Sequence, residues 1–250
     1  MMFIHTIDPV LLRLGFLEIR YYGLIFALTF FLGYFIINKL VKKSNLNLTK
    51  DDVADLILYL LIGGVLMARI FEILFYEPSY FFANPSQVIA LWQGGLSFHG
   101  GLLGGVIGGY LFCKKKKIKF LQLADLVSVP LALGFALGRI GNFLNGELYG
   151  KLTSLPWAVK FQGVEGYRHP SQLYESIKNF FIMFTLMFLT NKKLKTGSLF
   201  FTFLLMYGIL RLFVEFVKDM PIIILGLTMG QLLSIPMIIV GAFMLWKKKV

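Results

Sequence analysis

One cysteine, three histidines and thirteen acidic residues are all that 250 positions hold of those types. A single thiol, Cys113, rules out an intrachain disulfide. No Cys/His cluster has metal-ligand spacing, and H-E-x-x-H is absent, so no metal or cofactor is expected. Charge is also scarce. Only 15% of residues are Asp, Glu, Lys or Arg, against about 25% in soluble domains. The first sixteen residues, MMFIHTIDPVLLRLGF, lack a basic stretch and a small-residue cleavage site, so no removable signal peptide is expected. Internal repeats, low-complexity linkers and a second domain are likewise not evident, and residues 1–250 read as one domain.

What is abundant is apolar surface. Hydrophobic residues make up 57% of the chain and aromatics 16%, with mean hydropathy +0.75. This is the composition of an all-α integral membrane protein whose first partner is the lipid bilayer. A span needs about 20 mostly apolar residues. Seven segments qualify as candidates, near 21–38, 54–75, 98–113, 121–141, 172–190, 197–217 and 228–246. The third is short enough to be re-entrant or packed wholly against protein.

The net charge of +12 would suggest nucleic acid in a soluble protein, but its placement argues against that. About fifteen of the 25 basic residues fall in four clusters, at Lys39–Lys50, Lys114–Lys119, Lys192–Lys195 and Lys247–Lys249. They follow spans one, three, five and seven. Positive residues stay cytoplasmic, so the N-terminus is expected outside and the C-terminus inside. The longest outer segments are then 76–97 and 142–171, and the second reads as a small extracytoplasmic head with short strands.

Ionisable residues within spans cost about 2.5–3.5 kcal/mol each on insertion scales and are functional candidates by default. Arg69 and Glu72 lie three apart in span two and fit a structural ion pair. Tyr207, Arg211, Glu215 and Lys218 form one helical stripe in span six. Arg139, near the outer end of span four, has no acid three or four residues away, so a lipid phosphate is its expected partner. Span three carries Gly100, Gly104 and Gly108, and also Gly101, Gly105 and Gly109, two stripes that permit close helix packing. His99 stands at its outer end. His169 lies in YRHPSQLYE, where Pro170 suits a first helical turn and Ser171, Gln172, Tyr174 and Glu175 add polar groups. In GRIGNFLNGELYG (138–150), Gly138 and Gly141 are expected to allow close packing, and Gly146 and Gly150 to permit turns. Arg139, Asn142, Glu147, His99, His169 and Arg211 all map to the outer half of the membrane. Two arginines there point to an anion, most simply a lipid phosphate.

These blocks resemble one family. GRIGNFLNGELYG is similar to the signature of the prolipoprotein diacylglyceryl transferases. RYYGLIF, ARIFEILFY, GGLSFHGGLLGG, RHPSQLYE, YGILRLFVEF and LTMGQLLSIPM resemble further blocks of that family, in its order and across nearly the whole chain. The resemblance implies a multi-pass enzyme of the bacterial cytoplasmic membrane, with its active site toward the outer face. It would move the diacylglyceryl group of phosphatidylglycerol onto the lipobox cysteine of a preprolipoprotein, beside the signal peptide, releasing glycerol 1-phosphate. Positions matching the family's functional residues are Tyr22, His99, Arg139, Asn142, Glu147, Gly150, Tyr207 and Arg211. Lys218 departs from the arginine often found there, keeping the charge and losing the planar fork.

The chemistry assigned on this basis uses His99 as base, with His169 as competitor, and Arg139 and Arg211 to stabilise the leaving phosphate. Glu147 and Tyr22 orient arginines or headgroup. Asn142, Asn145, Gly150, Tyr207, Glu215, His169 and Gln172 complete the expected substrate-binding set. A phospholipid transporter or a non-catalytic lipid-binding scaffold built on the same arginines is the alternative. An intramembrane protease lacks its motifs, since Asp125 is the sole acid of span four.

Overall fold

A computed structural model describes residues 3–15, 17–44, 46–91 and 94–249. In chain order these form β1 (Phe3–Ile4), β2 (Val10–Leu14), β3 (Leu17–Arg20), α1 (Tyr21–Val41), α2 (Lys50–Phe71), α3 (Pro78–Ala83), α4 (Phe98–Lys116) and α5 (Phe120–Leu144). After them come β4 (Val159–Lys160), α6 (Ser171–Leu189), α7 (Ser198–Glu215), β5 (Ile222–Ile224), β6 (Leu227–Thr228) and α8 (Met229–Lys249). A π turn, Glu72–Tyr76, prolongs α2, and a 3-10 turn covers Pro85–Ile89.

All seven expected segments are helices. Among the described residues, five helices are long and apolar enough to cross a membrane: Tyr21–Val41, Lys50–Tyr76, Phe120–Leu144, Ser198–Glu215 and Met229–Lys247. The chain is thus a mostly helical, multi-pass membrane protein. Glycines and terminal lysines dilute α4, while α6 carries Gln172, Glu175, Lys178 and Asn179 among its buried residues.

The chain divides into two compact units, Val41–Leu123 and the remainder. In the first, α2 and α4 run antiparallel in close contact. An added Cβ at Gly63 would stand 2.6 Å from the Gly104 carbonyl oxygen, and one at Gly104 or Gly108 would collide with the backbone of Gly63 or Tyr59. The Gly100–Gly104–Gly108 stripe is therefore the packing face, whereas a Cβ on Gly105 meets nothing within 4 Å. Thr49 caps α2 in a reciprocal capping box with Asp52. Lys116 pairs with Asp52, and Lys115 with Asp55 at 3.2 Å, joining the end of α4 to the start of α2. The expected Arg69–Glu72 pair is corrected here. Arg69 is buried and donates instead to the carbonyls of Gln87, Val88, Gly94 and Gly95, its guanidinium 4.7 Å from the Phe81 ring. Loop carbonyls need donors in an apolar setting, and Arg69 supplies several at once.

The second unit holds α1 and α5–α8. Gly33 of α1 lies against Pro130 of α5, and Gly134 against Thr29. Asp125 of α5 accepts from the backbone N–H groups of Gly197 and Phe200 at 2.5 and 3.0 Å, capping α7 from another helix. Val129, Ala132 and Ala136 of α5 and Ile182 and Leu186 of α6 are fully buried. The 142–171 segment does contain short strand pairing: β4 lies parallel to β1, with Phe3 opposite Val159. His5 is sandwiched by Phe143 and Phe161, its Nε2 2.7 Å from the Phe143 carbonyl oxygen. Two hairpins were not legible beforehand. One pairs β2 with β3 and carries the exposed Asp8–Arg13 and Glu18–Arg20 ion pairs. The other pairs β5 with β6 through a turn at Leu225 and Gly226.

Candidate active site

The most charged point of the second unit is the carboxylate of Glu175, one turn into α6 and 1% exposed. Three helices and one loop supply its partners. Arg211 of α7 pairs with Oε1 through Nη1. Lys218 Nζ lies 3.3 Å from the same oxygen. Lys178 Nζ lies 3.0 Å from Oε2, and Arg139 Nε of α5 lies 3.8 Å from it. Helical spacing explains the in-helix part. Lys178 follows Glu175 by three, and Glu215 follows Arg211 by four, with Nε to Oε2 at 3.0 Å. Glu215 also accepts from the Thr228 hydroxyl at 2.9 Å.

Tyr207, Arg211 and Glu215 of the expected stripe thus face protein on α7, whereas Lys218 reaches the same cluster from the loop beyond the end of that helix. Tyr207 presents its ring to Lys178 Nζ, 4.0 Å from the centroid. Lys218 is buried, and desolvation together with neighbouring Arg211 lowers its pKa. The expectation that Arg139 lacks an acid partner is corrected: Glu175, thirty-six positions on, provides it. Sequence reading noticed Glu175 as a polar residue and missed its central place. Lys178 it missed entirely, although it stands within the expected span 172–190 and three residues after Glu175, the same two marks that singled out Arg69 and Glu72.

A polar chain leads outward from Arg139. Its Nη1 donates to Asn142 Oδ1 at 3.3 Å, and Asn142 Nδ2 donates to Glu147 Oε1 at 2.8 Å. Asn145 Nδ2 donates to the same oxygen at 3.3 Å. α5 runs three residues beyond the predicted end, so Arg139 and Asn142 share a helical face, while Asn145 and Gly146 form the turn that returns Glu147 toward it. Gly146 has φ +71°, as a turn there requires. Gly150 differs from expectation, since its φ is not positive. It is glycine because a Cβ would strike the Val217 carbonyl and the His169 side chain. Gly141 leaves room for the Tyr22 ring, whereas Gly138 meets nothing within 4 Å.

Gln172 and Ser171 act as braces. Gln172 Nε2 donates to the Glu147 carbonyl at 2.6 Å, and the Ser171 hydroxyl to the Leu148 carbonyl at 2.9 Å. His169 Nδ1 lies 3.2 Å from the Tyr174 hydroxyl, and burial lowers its pKa, so the ring is neutral near pH 7. Arg168 ties the loop down through Asp219 at 2.6 Å.

The structure therefore brings Arg139, Asn142, Asn145, Glu147, Gly150, His169, Gln172, Tyr207, Arg211, Glu215 and Tyr22 into one unit. His99 belongs to the other. It follows Ser97, which caps α4 by accepting from the Gly100 N–H, and its Nδ1 lies 2.9 Å from the Tyr76 hydroxyl. Within the first group, two guanidinium groups on different helices, Arg139 and Arg211, converge on the buried carboxylate of Glu175.

A model of the family described as prolipoprotein diacylglyceryl transferase matches residues 9–247. A protein of Geobacter sulfurreducens is 45% identical over 245 residues, covering 95% of this chain and 94% of its own. One from Rickettsia conorii is 39% identical over 252 residues and 96% of each chain. One from Bordetella parapertussis is 42% identical over 244 residues, 94% of this chain and 93% of its own. Each bears the name phosphatidylglycerol–prolipoprotein diacylglyceryl transferase.

Proposed function

This chain belongs to the prolipoprotein diacylglyceryl transferase family and is an enzyme of that kind, and on that premise we propose how it works. It moves the diacylglyceryl group of phosphatidylglycerol onto the thiol of the lipobox cysteine of a preprolipoprotein. A thioether forms and glycerol 1-phosphate leaves. The observation that carries the reading is the convergence of Arg139 and Arg211 on buried Glu175. Guanidinium groups held in advance at one point need little reorganisation to receive a phosphate.

The lipobox thiol, with an ordinary pKa of about 8.5, is mostly protonated at neutral pH. A histidine takes that proton. The thiolate then attacks the glycerol carbon bonded to phosphate oxygen, the carbon–oxygen bond breaks, and its electron pair leaves on the phosphate. Arg139 and Arg211 stabilise this charge. Asn142 and Glu147 fix the reach of Arg139, and Tyr22, against Gly141, borders the same group. His99 is the proposed base: its Nδ1 shares a hydrogen bond with the Tyr76 hydroxyl, and in the tautomer protonated at Nδ1 the free Nε2 lone pair takes the proton. His169 is the competitor, being neutral and placed in the unit that holds the arginines. If His99→Asn keeps the wild-type rate and pH profile, His169 takes the role.

Seven crossings, with the N-terminus outside and the cytoplasmic membrane as site, complete the reading. Two contacts support it: α2 and α4 are antiparallel, the end of α4 meeting the start of α2, and α5 and α7 are parallel, their starts meeting through Asp125. The deciding assay uses purified protein in phosphatidylglycerol vesicles with a peptide bearing a lipobox cysteine. Expected products are a peptide heavier by one diacylglyceryl group and an equal amount of glycerol phosphate. Lipid binding without either product would leave a lipid-binding scaffold.

A further inference from the structure

Charge does not balance around Glu175. Among the described residues, Arg139, Lys178, Arg211 and Lys218 reach its carboxylate, and Glu215 is the one other acid paired within the group. Four cations share two carboxylates, leaving two positive charges uncompensated. Glu147 stands outside this set, joined to it only through the Asn142 amide.

Lys178 contributes the least expected of these charges. Its side chain is 4% exposed, so its head does not reach solvent. On one side lies Glu175 Oε2 at 3.0 Å, and on the other the face of Tyr207 at 4.0 Å. Both neighbours attract an ammonium ion. By occupying Oε2, Lys178 weakens the hold of that oxygen on Arg139, whose Nε stays at 3.8 Å.

Transfer changes the charge of the phosphorus group. In phosphatidylglycerol it is a phosphodiester monoanion. The thiolate forms the sulfur–carbon bond, the carbon–oxygen bond breaks, and the electron pair stays on that oxygen, with the thiol proton already on the base. The leaving group is then a phosphomonoester dianion, since the second pKa of such a group is about 6. Two uncompensated positive charges match the dianion better than the bound lipid, and only a contact stronger late in the reaction accelerates it.

We propose that Lys178 is a positioning residue that sets the charge of this cluster, so that it holds the phosphomonoester leaving group more tightly than the phosphodiester substrate. This rests on the transferase reading above. Product affinity for the free enzyme follows: glycerol phosphate competes with lipid, and it dissociates more slowly than a neutral product would.

The test compares two soluble probes by calorimetry on the detergent-purified full chain near pH 7, where a phosphomonoester is already mostly dianionic. Glycerol 1-phosphate is the dianion and glycerophosphoglycerol the monoanion. The wild type is expected to prefer the dianion. In Lys178→Met the monoanion should bind about threefold more weakly and the dianion about tenfold, so the preference should fall by about threefold, the effect of removing one partly screened charge. Lys178→Arg should restore it. In the vesicle assay Lys178→Met should lower kcat with little change in KM. A wild type that binds both probes equally overturns the proposal whatever the variants do, as does an unchanged preference in Lys178→Met. Absence of peptide lipidation by the wild type would sink the transferase reading instead, and that result is scored separately.

Discussion

Glu175→Gln leaves Arg139, Arg211, Lys178 and Lys218 without their common carboxylate. Breaking a buried ion pair from one side costs about 3–5 kcal/mol, and here four partners lose at once. A thermal unfolding scan of the purified protein in micelles should show a midpoint several degrees lower; an unchanged midpoint would mean the cluster does not depend on this charge. Glu147→Gln is expected to differ. Glu147 accepts from two amides, and glutamine still offers an acceptor, so folding should hold while transfer falls. The two carboxylates show what the sequence made visible. The Arg211–Glu215 pair was readable because helical spacing alone brings it together. The Arg139–Glu175 pair was not, because it joins α5 to α6, and spacing along one helix says nothing about its neighbour.

On the scale of elements, α4 offers an internal control. Gly104→Leu would drive a side chain into the Gly63 backbone, whereas Gly105→Leu enters open space. The first should fold poorly or unfold at markedly lower temperature, and the second should behave as wild type within about 0.5 kcal/mol. Equal behaviour of the pair would contradict the α2–α4 packing. Both stripes were evident from glycine spacing; which one touches α2 depends on helix rotation, which spacing leaves open. The β5–β6 hairpin was missed for another reason. Its turn places Leu225 at φ +53° with 89% exposure, where asparagine or glycine is usual. Ile222–Leu225 lies between the expected spans six and seven and holds no turn-forming residue. Leu225→Asn should relieve the left-handed strain and stabilise the hairpin by about 1 kcal/mol, measurable as slower amide exchange at Ile222–Thr228.

For the whole molecule, the four basic clusters make a map that labelling can check. In a Cys113→Ser background, cysteine at Lys117 or Lys193 should react with a membrane-impermeant maleimide only after cells are opened, and cysteine at Gln162 should react in intact cells. Early labelling at Lys117 would invert the orientation. Membrane class and family were legible at this scale, because composition and seven ordered sequence blocks both survive without coordinates. The division into two compact units was not, since no linker or shift in composition marks it.

The pairing of β1 with β4 also has a consequence in time. Phe3 and Ile4 leave the ribosome about 156 residues before their partners Val159 and Lys160. At roughly 5–20 residues per second, that is a wait of about 8–30 s. His5 is held by Phe143 and Phe161, so its ring waits almost as long. During synthesis the head is therefore an open seam, closed by a strand made long before its partner. The arginine-bearing end of α5 is complete before the loop that follows it can be stitched down.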